Sequence, residues 1–134
     1  MEKRLSVFTK PAPSSPRRAQ FIQVIERGYS DPSFKVQSIA ESLGVSVQYV
    51  YELSKNECRA NPHKLIETLR ILHALRIILT TNKDLMIIAK ESGYANYQTF
   101  RKACRKRLGL SPSELRDNSN ICSKKKDELL RGIS

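Results

Sequence analysis

The chain has 134 residues, 40% of them hydrophobic, which is enough apolar material for one domain or two very small subdomains sharing a core. Lys and Arg number 24 against 13 Asp and Glu, and the formal charge of +11 biases the protein toward a polyanionic partner. No apolar run is long enough to span a membrane and the N-terminus lacks the apolar stretch of a secretion signal, while three cysteines without CxxC spacing suggest neither a disulfide framework nor a zinc knuckle; a reduced, cytoplasmic setting fits best.

Residues 1–15, with Pro11, Pro13 and several cations, read as a flexible basic arm. Ser15 followed by Pro16 offers an N-cap and a proline at the first helical position, opening a helix through about Gly28 with Phe21, Ile22 and Ile25 on its apolar side. A turn over Tyr29–Ser33 precedes Val36, Ile39, Ala40 and Leu43, which recur at helical spacing. Gly44 can then turn the corner with positive φ, Val45 tucks beneath it, and Ser46 caps a second helix to about Asn56.

Asn61-Pro62 marks the next start. From there to about Thr80 no Gly or Pro interrupts a segment that is apolar over a wide arc, as suits a central helix touching both neighbours. Twenty helical residues span about 30 Å, close to one turn of B-DNA at about 34 Å. The corner pattern then repeats. Ile88 and Ala89 lead to Gly93 and Tyr94, Asn96 is a cap, and a helix from Tyr97 to Leu108 ends at Gly109. Small residues at Ala40 and Ala89, four or so positions before a glycine corner, are what two steeply crossing helices need, so each copy predicts a helix-turn-helix unit. Ser111-Pro112-Ser113-Glu114 is a capping box opening a short helix through about Arg116. Beyond Asp117 the tail is polar and basic and reads as mostly disordered, although Leu129, Leu130 and Ile133 could form a short docking helix.

Charge is unevenly spread. Residues 21–60 carry four basic and five acidic side chains, whereas residues 82–117 carry eight and four, so the second repeat is the more strongly cationic. Residues from about 18 to 117 resemble the DNA-binding domain of the AraC/XylS family of bacterial transcription regulators. Ile88-Ala89, Gly93-Tyr94, Phe100, a basic run, then Gly109-Leu-Ser-Pro112 and Arg116 match its most specific part, and Ile39-Ala40, Gly44, Ser46, Val50, Leu53 and Lys55 agree in the first repeat. The resemblance implies an all-α fold of seven helices, with a first helix-turn-helix at about 35–57, a central helix at about 61–81 and a second helix-turn-helix at about 84–108. Both recognition helices would enter the major groove of double-stranded DNA on one face of the duplex, about 10 base pairs apart.

By the family's geometry Gln48, Tyr51 and Glu52 in the first unit, and Tyr97, Gln98, Arg101 and Lys102 in the second, would face base edges, with Arg suited to guanine and Gln to adenine. Ser46, Lys55, Asn96, Arg105, Lys106 and Arg107 would meet phosphates. Backbone N–H groups at helix starts near Val36, Ser46, Leu85 and Tyr97 could add further phosphate contacts. The sequence departs from the family pattern in three places. Glu52 stands where a basic residue is usual, and Ser54 and Cys104 where aromatics are usual, so the first lobe is expected to be looser or differently packed.

The expected protein is a sequence-specific regulator working as a monomer on an asymmetric site, cytoplasmic and associated with the nucleoid, with no catalytic constellation, cofactor or membrane partner and no room for a separate ligand-sensing domain. The alternative is an adaptor that grips DNA through the second unit and docks on RNA polymerase or another regulator through the first. His63 and His73 lack a ligand partner at i+4, so surface or capping roles are expected of them rather than a metal site with Cys58. The lone cysteines are expected in small-residue packing roles rather than as sensors.

Overall fold

A computed structural model describes residues 16–133, so the basic arm expected over residues 1–15 and the Ser15 cap lie outside the described residues. The first helix, α1 (Pro16–Gly28), buries Phe21, Ile22 and Ile25. The first corner is α2 (Val36–Leu43) and α3 (Val47–Cys58), with Gly44 between them at φ 69° and the Ser46 hydroxyl accepting the Tyr49 N–H. Then comes α4 (Pro62–Thr80), opened by Asn61, whose side chain accepts the His63 N–H, and by proline in its first turn. The second corner is α5 (Leu85–Glu91) and α6 (Tyr97–Leu108), capped by Asp84 and Asn96. Ser111 and Glu114 form the expected capping box at α7 (Pro112–Asp117), and α8 (Ser119–Ile133) follows.

The described residues therefore hold eight helices and no strand, one helix more than the resemblance implied. The polar tail expected to be mostly disordered is the extra element. Its apolar residues Cys122, Leu129 and Leu130 are spaced seven and eight apart and so share one helical face; Cys122 is fully buried, and both leucines pack against the body.

Helix α4 divides between two cores along its length. Leu65, Ile66, Leu69 and Leu72 pack with α1, α2 and α3 in a first lobe, while Ile71, Ala74, Leu75 and Ile78 pack with α5, α6 and α7 in a second. Its nineteen residues span about 28 Å. Long-range polar contacts pin the connecting loops to this frame. Arg70 on α4 donates to the backbone carbonyls of Tyr29, Asp31 and Phe34 at 2.7, 3.0 and 3.1 Å, holding the loop between α1 and α2. Arg116 on α7 donates to the Lys83 carbonyl at 2.6 Å and holds the approach to α5.

The departures at Ser54 and Cys104 are accommodated in place. Ser54 is wholly buried and donates to the Ala60 carbonyl, tying the end of α3 to the turn before α4. That gives the first lobe a polar link where an aromatic was expected. Cys104 is wholly buried in the second core with Phe100 and Leu115, where burial and the neighbouring Cys122 push its thiol up to about 12.

Candidate nucleic-acid interface

The outward faces of α3 and α6 follow from which residues the cores consume. In α3, Val50, Leu53 and Ser54 are buried, which leaves Gln48, Tyr51, Glu52 and Lys55 exposed on the opposite side. Tyr51 is not a free side chain, because its hydroxyl lies 2.8 Å from Nε2 of His63 at the start of α4. These four positions thus offer one amide, one tethered phenol, one carboxylate and one ammonium group. Ser46 is exposed but spends its hydroxyl on the Tyr49 amide.

In α6 the buried residues are Phe100, Ala103, Cys104 and Leu108. Gln98, Lys102, Arg105 and Lys106 are exposed on the far face, with Tyr97 and Arg101 half-buried along its border. Tyr97 sets its ring edge-on to Phe100, 6.2 Å between centroids, so one side of the phenol belongs to the core and the other to the surface. Asn96 accepts the Thr99 N–H at 2.9 Å and caps the helix as expected. Arg105 has only a distant partner, Glu114 at 4.0 Å, with both side chains about half exposed; such a pair contributes little and leaves the guanidinium available.

Arg107 does not sit where the family geometry implied. Its guanidinium donates to Glu67 at 2.9 Å and to the Thr68 hydroxyl at 2.7 Å, and only 15% of its side chain is exposed. Position 107 lies seven residues after Phe100, hence on the core side of α6. The residue is a strut between α6 and α4 rather than part of the outward basic face.

One feature near this surface escaped the sequence reading. Lys64 and His63, at the start of α4, border a cleft with Lys106 and Glu67, which extends the cationic surface from α6 toward the first lobe. Their proximity to Lys106 depends on how α4 crosses α6, and no local pattern announces it. Away from that cleft, the other histidine, His73, has its Nδ1 2.8 Å from the Tyr29 hydroxyl, and burial pushes its pKa down. Among the described residues no group of three or more His, Cys, Asp or Glu could hold a metal ion, and no helix is long and apolar enough to cross a membrane.

Residues 39–118 match a helix-turn-helix domain family. The raffinose operon transcriptional regulatory protein RafR of Pediococcus pentosaceus is 30% identical over 100 residues, 75% of this chain and 36% of that protein. The HTH-type transcriptional regulator ExsA of Pseudomonas aeruginosa is 24% identical over 111 residues, 83% of this chain and 40% of that one. The chain thus spans between a third and two-fifths of the length of these relatives. Among solved structures, the C-terminal domain of AraT, a response regulator from Geobacillus stearothermophilus, aligns with a TM-score of 0.75 at 28% identity, covering 79% of this chain and 88% of that domain. The DNA-binding domain of AdpA, solved in complex with a target DNA, aligns with a TM-score of 0.69 at 22% identity over 78% of this chain and 92% of its own, a likeness of fold.

Proposed function

The chain belongs to the AraC-type helix-turn-helix transcription regulators, and on that premise we propose that it is a sequence-specific reader of double-stranded DNA that places α3 and α6 in successive major-groove segments. One observation carries the reading: two helix-turn-helix units are mounted on a single α4, and the second presents Gln98, Lys102, Arg105 and Lys106 together on an outward face. The fold shared with AdpA, a protein seen on its target DNA, supports it.

In this reading Gln98, Arg101 and Lys102 face base edges, Arg101 gripping guanine O6 and N7 and Gln98 adenine N6 and N7. Tyr97 fits beside them. Arg105, Lys106, Lys55 and the amide-rich starts of α3 and α6 meet phosphates, while Ser46 and Asn96 keep those starts in shape by capping. Gln48, Tyr51 and Glu52 read the neighbouring groove segment, with Glu52 suited to cytosine N4. The protein works in the bacterial cytoplasm on the nucleoid as a single chain on an asymmetric site.

The experiment is a selection of bound duplexes from a random pool, followed by titration of the selected site at fixed salt. Arg101→Ala with Lys102→Ala is expected to weaken the specific complex by at least about tenfold, since a good base contact discriminates by about 1–3 kcal/mol. Unchanged specific affinity would remove α6 as the reading helix. A second reading rests on Glu52 beside Lys55 in a nearly neutral first lobe: that lobe docks on RNA polymerase or another regulator and α6 alone grips DNA. Equal affinity for selected and random duplexes would favour it.

A further inference from the structure

We propose that α8, through Leu129, sets the spacing and angle between the two recognition helices and so determines which separation of half-sites the protein accepts. The inference rests on the two-groove reading above and concerns what makes that reading possible. Leu129 packs against both cores, whereas its neighbour Leu130 packs against the first alone. Cys122, one turn into α8, is fully buried in the second core. The helix is therefore anchored in one lobe at its start and reaches the other toward its end, lying along α4 as it goes.

The end of α8 also borders a cavity of about 380 Å³ shared with Arg59 and Ala60, which close the first lobe's α3, and with Arg107, near the close of the second lobe's α6. The cavity brings the C-terminal ends of both recognition helices to one place beside α8.

A brace matters because α4 by itself leaves each lobe held to a single rod. Two joints oppose rocking about that rod. One is the Arg70 site, where the guanidinium binds first-lobe carbonyls and sits 6.0 Å from the ring of Tyr94 in the second lobe. The other is α8, which meets α4 near Lys64, Leu65 and Thr68. At about 100° per residue these positions lie well around the helix from Arg70, so the two joints grip different faces. Opening one leaves the lobes free to pivot on the other, and a pivot of a few degrees moves the far recognition helix out of register with its groove.

Spacing dependence is the readout, since a purely structural leucine would lower affinity without changing which spacing is preferred. The probe is the selected duplex and a version with two base pairs inserted between its blocks, which turns the second block by about 70° and moves it about 7 Å. Wild type is expected to lose about 100-fold on the insertion, the coupled contribution of one lobe. Leu129→Ala is expected to lose less than about tenfold on it, having already lost affinity at the native spacing, and Ser123→Ala, at an exposed position of α8, to keep the wild-type profile. Thermal melts confirm that each variant is folded at the assay temperature; Leu129→Val is read in the same way should Leu129→Ala not be. A strict wild type with an equally strict Leu129 variant overturns the brace and leaves the two-groove reading standing. A wild type indifferent to the insertion overturns the two-groove reading, and the brace with it.

Discussion

Gly44 and Gly93 occupy the same place in the two corners, yet their replacement by alanine should have very different consequences. Gly44 lies at φ +69° with nothing within 4 Å of where a Cβ would stand. Gly44→Ala therefore meets only the left-handed backbone penalty, about 1–2 kcal/mol. Gly93 lies at φ +102°, and its added Cβ would fall inside van der Waals contact of the Tyr29 carbonyl oxygen and 2.8 Å from Arg70 Nε. Those two atoms are themselves hydrogen-bonded at 2.7 Å. The methyl group thus intrudes, from the second corner, on the hydrogen bond that ties α4 to the loop of the first lobe. Adding the backbone penalty to the loss of a charge-assisted hydrogen bond, about 1.5–3 kcal/mol, puts Gly93→Ala at about 2.5–5 kcal/mol, a large share of the 5–15 kcal/mol typical of a domain. Urea denaturation followed by circular dichroism measures both variants, provided the slope with denaturant is unchanged. If Gly93→Ala proved no costlier than Gly44→Ala, the steric account of this junction would be wrong.

Arg107→Ala should cost about 2 kcal/mol of stability, because Glu67 and Thr68 lose their partner, with no change in the salt dependence of DNA binding. Lys106→Ala should do the reverse, lowering the slope of log affinity against log salt by about one contact while leaving the melt within about 0.5 kcal/mol of wild type. In native protein a thiol reagent should label the half-buried Cys58 first, with buried Cys104 and Cys122 labelled only after denaturation; early labelling of Cys104 by mass spectrometry would contradict the packed second core. Glu114 should titrate below the ordinary glutamate value of about 4.3, since the Ser111 backbone N–H and then its hydroxyl favour the carboxylate. A depressed carboxyl stabilises the fold fully above its unfolded pKa and loses that effect as pH falls through the folded one. Glu114→Gln should accordingly flatten the acid limb of stability below about pH 4.3, checked by NMR titration and melts.

The helices of residues 16–117 were legible because their signals are local. Ser46, Asn61, Asn96 and Ser111 each accept an amide two or three residues on, a partnership that spacing alone can announce. The outward faces of α3 and α6 were legible for the same reason, the buried residues recurring every three or four positions. Arg107 was misplaced although its register with Phe100 was available, because a run of cations at the end of a recognition helix reads as one surface until the helix is turned and its faces counted. The tail was misjudged because Cys122, Leu129 and Leu130 are too few and too diluted by lysines to form a core of their own; they need the two lobes already in place.

What the amino-acid order settled without help was where each of the first seven helices starts and stops, where the chain turns sharply, and which unit carries the cations, since all of these depend on neighbours within about a turn. Folding decided the rest: that Arg70 reaches back to residues 36 to 41 positions away, that Gly93 is packed shut while Gly44 is open, and that one leucine in the tail touches both lobes. Those facts come from the crossing of α4 by the helices around it, and pairings between side chains so distant in the chain leave no mark in its local periodicity.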